Sequence, residues 1–126
     1  MSFKILVVED NYDSRELLHY LLTSKGFNVA TAGDGTEGFY MTRVVKPDLI
    51  ITDLTMPYMD GVELTLNIRS EPELSDIPIV VYTSYGIEDA RPAVKAGANF
   101  IFYKPVDFER MIEYIDKLSK QAGELN

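Results

Sequence analysis

Four runs of apolar residues, mostly β-branched or aromatic, each lead into reactive side chains. The runs and the residues that follow them are Ile5–Val8 before Glu9 and Asp10, Leu49–Thr52 before Asp53, Ile79–Tyr82 before Thr83, and Phe100–Tyr103 before Lys104. Near-continuous apolar runs of this length predict buried strands of a parallel sheet. Ligands of an open parallel sheet bind beyond the carboxyl ends of its strands. We therefore expect three carboxylates, a hydroxyl and an ammonium group to meet at one edge.

Helical patterns alternate with strand-like runs five times, an order that predicts a doubly wound α/β fold. Beyond the first strand, strands are predicted at about 27–31, 48–53, 78–83 and 99–103. Helices are predicted near 12–25 with Asn11 as cap, from Thr36 as cap to before Pro47, near 62–70, near 90–96, and after Pro105 with Asp107 as cap. These caps have side chains that can accept hydrogen bonds from the first helical turn.

The start of the fourth helix depends on Pro92. Proline lacks an N–H group and clashes with the preceding turn, so it is best tolerated near a helix start. We therefore predict that Asp89 caps a short helix over about 90–96, which Gly97 ends, and that residues 85–88 form a loop.

The bulk composition limits the function classes. A chain of 126 residues suits one domain, with a core over about 3–118 and a polar tail at 119–126. The net charge of −8 argues against binding to nucleic acid or to an anionic membrane surface. The apolar runs are too short to span a membrane, and the first residues do not read as a cleavable leader. We expect a cytoplasmic location.

The residues at the predicted sheet edge suit phosphoryl chemistry. Taken alone, an acidic pair after a strand is more often a solvated loop, and Asp53 could simply cap a turn. Their convergence favours a site, because Mg²⁺ binds hard oxygen ligands such as carboxylates. A carboxylate can also act as a nucleophile and form an acyl phosphate. Lys104 can pair with Asp53 before phosphorylation, and both Lys104 and Thr83 can donate to phosphoryl oxygens afterwards.

The motifs resemble the receiver domains of two-component response regulators over about residues 3–118. The matching pieces are Ile5–Asn11, the block Pro47–Gly61 around Asp53, Thr83-Ser84, Lys95–Ala98 and Lys104-Pro105. The resemblance implies a flavodoxin-like (βα)5 sandwich with a parallel sheet in the order 2-1-3-4-5. It also implies a phosphorylation switch that catalyses only its own phosphorylation and dephosphorylation.

The same resemblance assigns roles to individual residues. Asp53 would accept the phosphoryl group from the phosphohistidine of a histidine kinase or phosphotransfer protein. Asp10 would bind Mg²⁺ directly, Glu9 directly or through water, and Asp53 and the backbone carbonyl of Thr55 would complete the site, with Mn²⁺ able to substitute. The role of Thr83 would be that of the switch hydroxyl, and Lys104 would be the cation that contacts the phosphoryl group.

One position departs from the family pattern. Receivers usually carry an aromatic switch residue three positions before the lysine, where this chain has Ile101. Either Ile101 faces the output surface and the neighbouring rings pack normally, or the coupling is weakened, absent or taken over by Tyr82 or Tyr85. A constitutive interaction module with a vestigial site therefore stays open as an alternative. An aspartyl-phosphate phosphatase does not, because Thr55 stands where that family needs a second aspartate.

The resemblance also implies how the signal leaves the domain. No output segment follows the fifth helix, so we expect a stand-alone receiver, monomeric or weakly dimeric on phosphorylation, that binds a protein partner. The expected partner surface comprises the fourth helix, fifth strand and fifth helix, with some combination of Ile87, Arg91, Lys95, Ile101, Tyr103 and Met111 exposed.

Overall fold

Five strands alternate with five helices along the chain. The structure, a computed structural model, describes residues 2–125, with side chains to residue 123. In chain order the elements are β1 (Lys4–Val8), α1 (Tyr12–Ser24), β2 (Asn28–Ala32), α2 (Gly35–Val45), β3 (Leu49–Thr52), α3 (Gly61–Ser70), β4 (Ile79–Thr83), α4 (Ile87–Ala96), β5 (Phe100–Tyr103) and α5 (Phe108–Leu125).

The strands form one parallel sheet in the order β2-β1-β3-β4-β5. Their registers align the carboxyl ends: Val8 lies opposite Thr52, Thr52 opposite Val81, and Thr83 opposite Tyr103. The predicted doubly wound fold and strand order are confirmed. The order reverses between β1 and β3, the position at which open parallel sheets form a ligand crevice.

Alternating strand residues feed two cores, one on each face of the sheet. Leu6, Ile50 and Val81 join the core under α2, α3 and α4, where Ala90 and Ala93 let α4 approach closely. Ile5, Ile51 and Tyr82 join the other core under α1 and α5. Among residues 2–125, no helix is long and apolar enough to cross a membrane.

Two helix starts differ from the prediction. Helix α2 is capped by Asp34, whose side chain accepts a hydrogen bond from the N–H of Glu37, so Thr36 is not the cap. Helix α4 begins at Ile87 with Gly86 at the cap position, and Pro92 lies inside it. Proline there leaves the carbonyl of Glu88 without its helical donor. Glu88 is exposed, so water can take the place of that donor.

The last helix continues through the segment predicted as a tail. Asp107 precedes α5, and its carbonyl accepts the N–H of Met111, whereas its carboxylate accepts the N–H of Tyr103. Helix α5 extends to Leu125, so the predicted tail from residue 119 is helical over its described part. Residue 126 lies outside the described residues.

Candidate functional site

The carboxyl ends of four strands bring the predicted site residues to one edge of the sheet. Glu9 follows β1, Asp53 follows β3, Thr83 ends β4 and Lys104 follows β5. Backbone hydrogen bonds hold these ends together, from Asp53 N to Val8 O at 3.1 Å and from Lys104 N to Thr83 O at 2.8 Å. The sheet itself therefore positions the reactive side chains.

The ammonium group of Lys104 joins two of the acids. Its Nζ donates to Glu9 Oε1 at 2.6 Å and to Asp53 Oδ2 at 3.3 Å. The three side chains are largely buried, with exposed fractions of 17% for Lys104, 4% for Glu9 and 14% for Asp53. Low exposure strengthens the electrostatic attraction relative to a surface pair. Lys104 thus bonds more closely to Glu9 than to Asp53.

Three carboxylates form an acidic cluster that fits a divalent cation. Oxygen atoms of Glu9, Asp10 and Asp53 lie within 4.8 Å of one another. Both oxygens of Glu9 accept hydrogen bonds, from Lys104 and from the N–H of Asn11. Asp10 is exposed, and within residues 2–125 its carboxylate has no hydrogen bond or ion pair. Hard oxygen donors with an excess of negative charge are what Mg²⁺ binds in proteins.

Burial and charge act together on the ionisation of this cluster. Burial raises the pKa of Glu9, and the nearby charge of Asp53 adds to that effect, although the hydrogen bond from Lys104 opposes it. Burial alone would lower the pKa of Lys104, but the hydrogen bond to Glu9 and the charge of Asp53 outweigh it and raise the pKa. Lys104 is therefore firmly protonated, and Glu9 carries its charge at a cost that a cation would relieve.

The loop after Asp53 is fixed by close backbone packing. Leu54 N donates to Asp53 Oδ1 at 2.7 Å, and Gly61 N donates to the Leu54 carbonyl at 2.8 Å. A methyl group added at Gly61 would collide with the backbone oxygen of Asp53. Exposed Thr55 lies in this loop. Only glycine at position 61 lets the loop close against the phosphoacceptor candidate.

Thr83 and Ile101 lie on the α4 side of the sheet. Thr83 is fully buried, and its hydroxyl accepts the N–H of Tyr85 at 3.2 Å. Ile101 is half-buried and packs against the core that α4 covers. Tyr82 belongs to the opposite core, under α1 and α5. Tyr82 therefore does not fill the usual position of the aromatic switch residue.

The expected partner surface contains some of the six residues considered for it. Met111 is fully buried in the core under α5, so it does not belong to the exposed combination. Ile101 and Tyr103 are half-buried, whereas Arg91 and Lys95 are exposed. Ile87 is also exposed, at 67%. The predicted face is therefore most exposed along α4.

Sequence reasoning missed one neighbour of the charged cluster. The ring of Tyr82 lies with its centroid 5.4 Å from Lys104 Nζ, a contact that the sequence analysis did not predict. Strand alternation placed Tyr82 on the face opposite Thr83. That signal was available, but it does not indicate how far a lysine side chain reaches across the sheet edge.

Comparisons with known proteins identify the family of this chain. A family model described as the response regulator receiver domain matches residues 5–116. The chain belongs to this family. Receiver domains are components of two-component systems and are typically phosphorylated on an aspartate.

Individual relatives differ widely in length. The chain is 37% identical over 115 residues to hybrid signal transduction histidine kinase D of Dictyostelium discoideum, covering 90% of this chain but 7% of that protein. It is 34% identical over 114 residues to an uncharacterized 14.6 kDa protein of Leptolyngbya boryana, covering 90% and 87% of the two chains. The structure of chemotaxis response regulator CheY4 of Vibrio cholerae matches with a TM-score of 0.85 at 27% identity, over 94% of this receiver and 99% of that chain.

Proposed function

We propose that this receiver is a phosphorylation switch in which Asp53 accepts a phosphoryl group from the phosphohistidine of a histidine kinase or phosphotransfer protein. The observation that carries the proposal is the placement of Asp53. Its Oδ2 lies at the switch point of the sheet, 3.3 Å from the ammonium of Lys104 and within the acidic cluster. A nucleophilic carboxylate beside a fixed cation and a metal-binding cluster suits phosphoryl transfer.

The reaction forms one bond and breaks another. A carboxylate oxygen of Asp53 attacks phosphorus as the P–N bond of phosphohistidine breaks, and the leaving imidazole nitrogen retains the electron pair. Lys104 and the hydroxyl of Thr83 donate hydrogen bonds to the transferred group. Catalysis by positioning and charge neutralisation is what such a transfer requires.

Mg²⁺, or Mn²⁺ in its place, would supply positive charge between the phosphoryl oxygens and the carboxylates that hold it. Asp10 would bind it directly because its oxygens are free of other partners in the described structure. Asp53 and the carbonyl of Thr55 would contribute further oxygens. Glu9, whose oxygens already accept two hydrogen bonds, would bind directly after losing Lys104 or otherwise through water.

The output is a contact with a protein. Helix α4 exposes Ile87 at 67% and Val94 at 53%, together with the charged residues Arg91 and Lys95. Apolar residues rimmed by charges suit a protein interface. The net charge of −8 does not favour nucleic acid. We propose that phosphorylation alters this α4–β5–α5 face, in a monomer or a weak phosphorylation-dependent dimer.

Intact-mass measurement tests the proposal. Acetyl phosphate with Mg²⁺ should add one phosphoryl group to the wild-type protein. The matched variant Asp53→Asn keeps the side-chain shape but lacks the nucleophile, so it should stay unmodified and folded. A stable phosphoryl adduct on Asp53→Asn would place the acceptor elsewhere. No adduct on the wild type, together with metal-independent partner binding, would favour a constitutive interaction module.

A further inference from the structure

The ammonium of Lys104 has an aromatic neighbour in addition to the two carboxylates that it contacts. The group lies over the ring of Tyr82, 5.4 Å from the centroid. A cation within about 6 Å of an aromatic face is attracted by the ring quadrupole. We propose that Tyr82 is a positioning residue for phosphoryl transfer, whose ring holds the Lys104 ammonium at the phosphoryl site while its oxygen partners change. This inference rests on the function proposed above.

The ring is itself held in place. Tyr82 is 8% exposed and belongs to the core under α1 and α5. Its ring centroid lies 6.4 Å from that of Phe108. The same two rings line an apolar groove of about 390 Å³ together with Lys104, Pro105 and leucines of α1. Because the ring is buried in this core and packs against Phe108, it offers Lys104 a fixed surface.

A neutral ring does what a carboxylate cannot do here. Burial raises the pKa of the Tyr82 phenol, so the ring is uncharged near neutral pH. Glu9 and Asp53 are the present partners of Lys104, and both become engaged when metal and a phosphoryl group arrive. The ring competes for neither group and stays in place throughout. A lysine side chain has four flexible carbons, so a fixed contact narrows the positions that its ammonium samples.

Two substitutions separate the ring from the hydroxyl. Tyr82→Leu removes the ring and keeps an apolar side chain, whereas Tyr82→Phe keeps the ring. We expect Tyr82→Leu to slow phosphorylation by acetyl phosphate between about twofold and thirtyfold, the range that cation–π contacts from exposed to desolvated give when their energy positions the ammonium for the transition state. Tyr82→Phe should retain a rate near that of the wild type. Equal rates in wild type and a folded Tyr82→Leu protein would overturn the proposal.

A double-mutant cycle shows whether Tyr82 acts through Lys104. In a Lys104→Met background the ammonium is gone, so adding Tyr82→Leu should leave the residual rate unchanged. If Tyr82→Leu slows the reaction by the same factor in both backgrounds, the ring acts through packing alone and the proposal is wrong.

A spectroscopic measurement keeps the inference independent of the proposed reaction. In metal-free, unphosphorylated protein, the ring should shift the NMR signals of the Lys104 ε-methylene, assigned by their loss in Lys104→Met. The shift should persist in Tyr82→Phe and collapse in Tyr82→Leu. If the shift is present but the wild-type protein is not phosphorylated, the proposed reaction is refuted while the contact between ring and ammonium stands. Its absence in the wild type would refute the positioning role itself.

Discussion

Two partly buried cations tie this fold together at opposite edges of the sheet, and their surroundings differ in kind. Lys104 joins two carboxylates at the carboxyl edge. Among the described residues, Arg69, at the end of α3, donates to neutral oxygens alone, which are the carbonyls of Ser75, Ile77 and Gly97 and the side chain of Asn99. Each cation connects elements that are far apart in the chain.

The partners decide what each cation can do. The pKa of Arg69 is lowered by burial, with the charge of Asp76 acting against that effect, and none of its acceptors titrates. The pKa of Lys104 is raised because two acids outweigh the effect of burial. The metal binding and phosphorylation proposed above would change the charge around Lys104, whereas the hydrogen-bond acceptors of Arg69 are neutral and would keep their charge. We call Arg69 with its four acceptors the clamp, because these contacts are permanent. Lys104 with Glu9 and Asp53 is the responsive region, because the charge around it would change.

Removing the clamp should have the largest effect on stability. Arg69→Met leaves several backbone carbonyls without donors, so we expect the free energy of unfolding to fall by about 3 kcal/mol. The matched control is Arg43→Met, because Arg43 forms an exposed ion pair with Glu71 at 2.6 Å. Such pairs contribute about 0–1 kcal/mol. Urea denaturation measures both, and equal losses would contradict the distinction between clamp and surface pair.

Divalent metal should stabilise the folded protein through the site around Lys104, and independently of the contacts of Arg69. At a Mg²⁺ concentration ten times its dissociation constant, the free energy of unfolding should rise by about 1.4 kcal/mol. Asp10→Ala removes the free carboxylate and should abolish the increment. Arg69→Met should retain it, because the two regions share no partner. Thermal unfolding with and without metal measures the increment. A full increment in Asp10→Ala would show that Asp10 does not belong to the metal site.

The two regions meet in α4, which should respond unevenly. Gly97, at the end of α4, is held by Arg69 Nε at 3.0 Å, whereas Gly86 caps its start without a side-chain hydrogen bond. With beryllofluoride as phosphoryl mimic, amide exchange should change by about tenfold over residues 84–90 and little over 93–97. Thr83→Ala should bind the mimic but lose this response. A uniform change in amide exchange along α4 would show that the contact between Arg69 and Gly97 does not hold the end of the helix in place.

The smallest effect concerns pH. The folded pKa of Glu9 is raised above 4.5, chiefly by burial. Its contribution to stability is therefore fully present below pH 4.5 and is lost as pH rises through the folded pKa. In metal-free protein, wild type should lose stability relative to Glu9→Gln over this window. The loss caused by Arg69→Met should not vary between pH 5 and 9. Urea denaturation at several pH values measures both quantities. A wild-type protein that gains stability relative to Glu9→Gln as pH rises, or a pH-dependent loss in Arg69→Met, would contradict the prediction.

The sequence predicted the charged site better than the clamp because of how each is encoded. Asp53 and Lys104 each stand directly after an apolar run, and parallel strands bring such positions to one edge. Arg69 follows no comparable pattern. Its partners Gly97 and Asn99 lie 28 and 30 residues away, on segments whose approach depends on helix packing. Local patterns do not specify such distances.

The helix boundaries show a similar limit. Asp34 and Thr36 are both acceptable caps by residue type. Asp34 is used because Glu37 then falls in the first turn, where its side chain also accepts the N–H of Gly33. The prediction for α4 treated Pro92 as excluded from the helix interior, but exposure of Glu88 removes much of that cost. Residue type alone does not indicate whether the carbonyl of a given residue, here Glu88, is accessible to water.

The separation of the site residues along the chain has a consequence for biosynthesis. Lys104 lies 95 residues after Glu9 and 51 after Asp53. A ribosome releases Glu9 and Asp53 well before β5, so an incomplete chain carries the proposed acceptor Asp53 without the neighbouring ammonium of Lys104. The full rate of the phosphoryl transfer proposed for Asp53 should therefore be reached only when synthesis has passed β5 and the strand has joined the sheet. Full competence to receive a signal would then depend on the presence of the last strand.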